Sequence, residues 1–264
     1  MLRFTSLGSG SSGNATLIEA IATGEGARAT RVLIDCGLPL RHLAARLAAR
    51  GLLATDIDAV FVTHEHSDHV GGVLALQRRH GTPVWASAGT WAQVAAKAED
   101  APECLVARDG QAIVVGALTL HPFAVPHDAA EPLQLTCSDA RHRIGILTDI
   151  GEPTDAVALA LQGCDALLLE TNHDPELLAA SAYPPWLKRR VGGRLGHLAN
   201  HQSAALLDAC GHDGLRHVVA AHLSQKNNRP DLALAALRGA LDAAAPTLLS
   251  AADATHGCGW IELH

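Results

Sequence analysis

The sequence predicts an α+β protein built as a four-layer αβ/βα sandwich, and three observations carry that expectation. Short apolar runs rich in β-branched residues alternate along the chain with Ala/Leu-rich segments of helical length. Some runs are apolar throughout, such as Ala166-Leu167-Leu168-Leu169, as buried strands are. His, Asp or Glu stands just after run upon run, which gathers polar chemistry at one edge where two sheets would meet.

Taken in order, residues 2–7 and 14–21 read as strands joined by the turn Gly8-Ser9-Gly10-Ser11-Ser12-Gly13, followed by a strand at 31–35 and a helix over 39–50. The turn lacks a G-K-[ST] ending and opens no helix, so it is not a P-loop. A strand at 57–62 precedes a polar loop, a helix over 73–80 stopped by Gly81, a strand at 83–86 and a helix over 89–98. The apolar run from Leu118 leads to His127, and strands at 133–138 and 142–147 form a hairpin across Asp139-Ala140-Arg141. A helix over 155–162, a strand at 166–169 and a largely helical stretch over 176–191 follow. The remainder reads as a helix ending near Cys210, a strand at 217–221, a helix over 231–244 and a closing hairpin of 247–251 with 259–263.

Composition bounds the function. With 264 residues, 48% of them hydrophobic, the chain is expected to form one domain over 1–264. No apolar run is long enough to span a bilayer, and Met1 leads straight into strand-like Leu2-Arg3-Phe4-Thr5. A cytoplasmic protein with no membrane partner is therefore expected. Cys36, Cys104, Cys137, Cys164, Cys210 and Cys258 are scattered without a C-x-x-C pair, as reduced thiols are. The formal charge of −7 argues against a broad basic surface for duplex binding.

The densest chemistry lies in Thr63-His64-Glu65-His66-Ser67-Asp68-His69-Val70-Gly71-Gly72, an H-x-H-x-D-H pattern. Side chains two apart in extended backbone point the same way, so His64 and His66 share one ion. Asp68 and His69, beyond the turn, are left for a second. Imidazole and carboxylate ligands without thiolate suit Zn, Mn or Fe. His127 ends an apolar strand and is the next ligand candidate; His121 competes, but its place before Pro122 inside the strand favours a packing role. Asp149, in Thr148-Asp149-Ile150-Gly151, follows another strand, where a carboxylate can give one oxygen to each of two cations.

The T-H-E-H-S-D-H-V-G-G string resembles the signature of the metallo-β-lactamase-fold hydrolases. Across nearly the whole chain the resemblance is to the YycJ-like (VicX-like, WalJ-like) single-domain members. It rests on S-G-S-S-G-N, V-P-H-D-A-x-E-P, L-T-D-I-G, E-T-N-H-D, Y-P-P-W-L-K-R-R, G-H-L-A-N and H-L-S-Q-K-N-N. Ala199 departs from the Ser usual in G-H-L-S-N. The resemblance implies a first metal held by His64, His66 and His127, a second by Asp68, His69 and His222, and Asp149 as the bridge. Asp35 would buttress the metal loop, and Ser12 and Asn14, in the turn beside the metals, would support the ligands or contact a substrate phosphate. The missing second-site cysteine argues against antibiotic hydrolysis.

Such relatives are linked to 5′-to-3′ DNA exonuclease activity. The implied reaction is hydrolysis of a phosphodiester by hydroxide bridging two divalent ions, Zn or Mn. Asp68, His197 and Glu170 form the catalytic set. By the order seen in tRNase Z-like phosphodiesterases, His197 would be the general acid and Glu170 its orienting partner. The expected partner is single-stranded DNA or a nucleic-acid end, with Lys188, Arg189, Arg190 and Arg194 tracking its backbone. The alternative is hydrolysis of a small thioester, lactone or cyclic phosphodiester. A metal-stabilised binding module without turnover is the reading from another class.

Overall fold

The computed structural model describes residues 1–21, 28–98, 100–243 and 245–264. Within them two seven-stranded mixed sheets face each other. In chain order the strands are β1 (Leu2–Gly8), β2 (Ala15–Ala20), β3 (Thr30–Ile34), β4 (Ala59–Phe61), β5 (Val84–Ala86), β6 (Leu105–Val106) and β7 (Ile113–Val115). There follow β8 (Leu118–Ala124), β9 (Leu133–Ser138), β10 (Arg143–Leu147), β11 (Ala166–Glu170), β12 (His217–Ala221), β13 (Leu248–Ala251) and β14 (Ile261–Leu263). The first sheet runs β14-β1-β2-β3-β4-β5-β6 and the second β13-β12-β11-β10-β9-β8-β7.

The helices are α1 (Leu40–Ala48), α2 (Ser67–Val70), α3 (Val73–His80), α4 (Ala88–Ala95), α5 (Asp155–Leu161), α6 (Pro175–Ala180), α7 (Pro185–Val191), α8 (Asn200–Cys210) and α9 (Pro230–Gly239). No helix among the described residues is long and apolar enough to cross a membrane.

The all-apolar strands have two faces to bury, and alternation splits their residues between layers. Phe61 and Leu168 point into the core between the sheets, with Phe4, Ile18, Leu120, Leu135 and Val219. Val60 packs outward with Leu43 and Leu47 of α1 and Leu76 of α3. Leu167 and Leu169 pack outward with Val157 of α5, Leu206 of α8 and Leu237 of α9. Three apolar seams between four layers give the expected sandwich. Each fully buried aromatic such as Phe4 or Phe61 contributes about 1.5–3 kcal/mol from burial alone.

In each sheet antiparallel pairs give way to parallel ones. Val32 of β3 stands beside Ala59 of β4 and Leu167 of β11 beside Val218 of β12, all in parallel register. Parallel neighbours end at the same edge, so the residues following β3, β4, β10, β11 and β12 collect there.

Two expectations are corrected. The closing hairpin does not form: β13 pairs in parallel with β12, Val219 beside Ser250, whereas β14 pairs antiparallel with β1, Phe4 beside Ile261. The α9 crossover gives β13 the length to return parallel, and the segment after it crosses to the other sheet, closed by its own Asp253–Gly257 bridge. The H-x-H-x-D-H stretch is also not all loop. Asp68 and His69 ride on the single turn α2, closed by the His69 and Val70 N–H groups donating to His66 O at 2.9 and 3.1 Å.

Candidate metal centre

The edge where the parallel strands end carries all seven candidate ligands. Ligand atoms within 4.8 Å of one another group His64 with His66 and His127, Asp68 with His69 and His222, and His64 with His69 and Asp149. A fourth group joins Asp149 and His222 to Glu170 and His197. Since Asp149 and His64 recur, the groups abut. His121 lies in β8, paired with Thr136, and joins none of them.

Backbone conformation aims several of these side chains. Asp35, Asp149 and His222 each follow a parallel strand in left-handed backbone, at φ of 60°, 56° and 54°. For a residue with a Cβ this costs about 1–2 kcal/mol, and neighbouring bonds hold it. Asp35 N–H donates to Phe61 O at 2.8 Å, and His222 N–H to Ser9 Oγ at 2.7 Å. Around Asp149, Thr148 N–H donates to Gln134 Oε1 at 3.1 Å and Ile150 N–H to Glu170 Oε2 at 2.9 Å.

Hydrogen bonds at the outer nitrogens fix the imidazoles. His127 Nδ1 lies 3.0 Å from Gly196 O, and His69 Nδ1 2.7 Å from Asp35 Oδ2. Thr63 Oγ1 donates to Asp35 and stands 3.0 Å from His64 Nδ1. His66 is reversed, its Nε2 lying 3.2 Å from Asp128 O. What remains facing inward is His64 Nε2, 3.1 Å from His66 Nδ1, with His127 Nε2 3.4 Å from that same atom. In the neighbouring group His69 Nε2 lies 2.7 Å from Asp149 Oδ2 and 3.7 Å from Asp68 Oδ2, which is 3.7 Å from His222 Nε2. With their outer nitrogens serving as donors, these inner nitrogens are lone pairs facing lone pairs and carboxylates. Asp149 Oδ2 and His222 Nε2 are buried with no aligned hydrogen-bond partner. Such a donor set suits a divalent cation.

The electrostatics show how strongly positive charge is wanted here. Burial alone would lower the pKa of His222, but the charge of Asp149, with the Asp68 and Glu170 carboxylates beside it, outweighs it, pushing the imidazole up to about 9. For Asp68, burial works upward and is overcome by His222 and His69, leaving the carboxyl lowered to about 2. His64, wrapped in apolar burial and flanked by His69, His127 and His66, is instead held well below the usual imidazole value.

Glu170 and His197 form a pair at the rim. His197 Nδ1 lies 2.8 Å from Glu170 Oε1 and 3.2 Å from Asp149 Oδ1. Burial disfavours the imidazolium, yet Glu170 and Asp149 prevail and raise His197 to about 10. Burial likewise opposes ionisation of Glu170, but His197 and His222 lower it to about 2. Leu198 N–H donates to Glu170 Oε2 at 3.3 Å, so the carboxylate also orders the backbone beyond His197.

Other predicted positions fare unevenly. Asn14 Nδ2 lies 3.0 Å from His69 Nε2 and 3.3 Å from Asp68 Oδ2. Ser12 reaches neither: Gly13 N–H donates to Gly10 O at 2.9 Å, which leaves Ser11 and Ser12 exposed at the turn's tip. Ser9 holds His222, and Ser11 lines the cleft of about 350 Å³ over the cluster. Of the four basic residues, Arg190 alone lines that cleft; Arg194 pairs with Glu152 at 2.7 Å and Lys188 bonds Ala179 O. Thr63 and Asp128 were not singled out in the sequence, although each adjoins a ligand there, which is the signal that could have found them.

The beta-lactamase superfamily domain matches residues 30–223. Exodeoxyribonuclease YycJ of Bacillus anthracis is 32% identical over 234 residues, covering 88% of this chain and 86% of that protein. The chain is a YycJ/WalJ-type member of the metallo-β-lactamase superfamily. Exodeoxyribonuclease WalJ of Streptococcus pneumoniae serotype 2 is 31% identical over 235 residues, covering 88% of this chain and 85% of that one. Among solved structures, the metallo-β-lactamase fold protein YhfI of Bacillus subtilis superposes with a TM-score of 0.75 at 16% identity, over 99% of this chain and 100% of that one, a likeness of fold. This YycJ/WalJ-type chain is a metal-dependent hydrolase, and its His/Asp cluster is the place for divalent metal.

Proposed function

We propose that this chain is a phosphodiesterase of the nuclease kind, a DNA exonuclease acting on single strands or strand ends, and that residues 1–264 work as one domain. In this reading His64, His66 and His127 hold one divalent ion, Asp68, His69 and His222 a second, with Asp149 between them. Bound there, Zn or Mn would supply Lewis acidity and lower the pKa of a water.

The observation that carries the phosphodiesterase reading is the Glu170–His197 pair. With Nδ1 committed to Glu170 at 2.8 Å, the proton His197 can give away is the one on Nε2, and its side chain borders the cleft at 23% exposure. An alkoxide leaving from phosphorus needs that proton, and the Glu170 carboxylate, which raises the His197 pKa, favours the imidazolium that carries it. Glu170 fixes the ring and keeps it charged. Asp68 lines the cleft, and its carboxyl, lowered to about 2, stays ionised, able to hold metal and to accept a hydrogen bond from the nucleophile. The names of the relatives, exodeoxyribonucleases both, point the same way.

The test incubates Mn- and Zn-loaded protein with end-labelled single-stranded DNA, a bis-aryl phosphodiester and a thioester. Cleavage of the DNA with stepwise loss of nucleotides is expected. Turnover of the thioester alone would overturn the proposal.

A further inference from the structure

The stretch Tyr183-Pro184-Pro185-Trp186-Leu187-Lys188-Arg189-Arg190 takes no part in the chemistry above, yet its two ends, Tyr183 and Arg190, line the same cleft. Tyr183 is the only tyrosine in the chain, and it lines the cleft together with His197 and His222. Pro184 and Pro185, the latter opening α7, fix the backbone behind the ring, so little freedom remains to be lost when something stacks on it. The Lys226 ammonium stands over the ring, 5.6 Å from its centroid.

One helix length away, in the last turn of α7, Arg190 lines the cleft too. Its Nε donates to Asp128 Oδ2 at 2.6 Å while 56% of its side chain stays exposed. Asn227 completes this wall: its Nδ2 bonds Ser224 Oγ at 3.2 Å, and its buried Oδ1 has no hydrogen-bond partner.

An aromatic ring and two cations beside a phosphodiester-cleaving centre are the parts that recognise one nucleotide. Every base has a π-face, so one ring serves any sequence. On a chain of formal charge −7, a phosphate needs a local cation to settle.

We propose that α7 and the Pro-Pro turn before it form a nucleotide subsite, in which Tyr183 stacks a base of the single strand and Arg190 takes the adjoining phosphate. The subsite rests on the nuclease reading and adds what that enzyme grips. It also explains how a protein with 3% aromatic residues and few lysines can hold a strand: the grip is concentrated on one nucleotide.

The test measures binding by fluorescence anisotropy with the metal-loaded protein and phosphorothioate strands that resist cleavage. One strand carries bases and the other, of the same length, has bare sugars. The wild type should bind the base-bearing strand about tenfold more tightly, as loss of a stacked base implies. Tyr183→Ala should shrink that ratio to under about twofold, while Tyr183→Phe and the exposed neighbour Trp186→Ala keep it. Arg190→Ala should lower the slope of log K against log salt by about 0.7 for both strands.

An unchanged ratio in Tyr183→Ala, or an unchanged slope in Arg190→Ala, overturns the subsite. Cleavage of ordinary DNA is scored separately. A protein that prefers the base-bearing strand but leaves ordinary DNA uncut contradicts the nuclease reading and supports the subsite. One that cleaves DNA but binds both strands alike overturns the subsite alone.

Discussion

The two ends of the parallel strands solve the same turning problem with different residues. Where helices lead back into strands, far from the metal centre, left-handed positions fall on glycine: Gly81 after α3 at φ 69° and Gly163 after α5 at φ 71°. A Cβ at either would meet nothing within 4 Å, so backbone conformation alone selects glycine there. Where strands lead out at the site, the left-handed positions fall on Asp35, Asp149 and His222, side chains that carry the chemistry. A fourth such residue, Asp100, lies in the loop before β6. The far end takes the relaxed solution; the site end accepts strain so that a carboxylate or imidazole leaves the strand at the angle the cluster needs.

The sharpest way to break this comparison is to put the far end's solution at the site. Asp149→Gly relieves the backbone and removes the shared carboxylate, so the variant should fold with native circular dichroism yet show no measurable turnover. Retained activity would mean that the strain buys nothing. Asp35→Asn is milder, because Asn tolerates left-handed backbone and keeps an oxygen for Thr63, but it weakens the partner of His69. Activity or metal affinity should fall by about 10–100-fold, as for other groups that orient a ligand; competition with a chelator reads the affinity directly.

Glu170→Gln probes the rim. The charge of Glu170 is the largest influence raising His197, and raising a histidine's pKa keeps it protonated to higher pH. Removing that charge should therefore move the alkaline limb of the pH–rate profile to lower pH. An alkaline limb that does not move would separate Glu170 from His197. The smallest effect belongs to the far end. Gly81→Ala should cost about 1–2 kcal/mol and lower Tm by a few degrees, roughly 2–4 °C per kcal/mol, with kcat unchanged. Equal Tm values would show that the turn does not need glycine.

Much of this was legible in the sequence because both signals are local. Runs such as Val60-Phe61-Val62 and Leu167-Leu168-Leu169 must be buried on two faces, which implies helices outside two sheets. His64, His66, Asp68 and His69 sit within one short motif, and Asp149, Glu170 and His222 each follow an apolar run. Long-range pairing was not legible: nothing in Leu248–Ala251 or Ile261–Leu263 says that the two strands belong to different sheets, because that depends on partners more than two hundred residues away for β14. The short, exposed β6 carries too little pattern to announce a strand. Ser9 rather than Ser12 holding His222 follows from how the turn folds between Gly10 and Gly13. Arg190 facing the cleft while Arg194 pairs with Glu152 is equally a matter of tertiary placement.

Anomalous diffraction from crystals of the Mn- or Zn-loaded protein tests the central claim most directly. The account predicts two peaks flanking Asp149, one among His64, His66 and His127 and the other among Asp68, His69 and His222. A single peak, or metal bound away from Asp149, would contradict it.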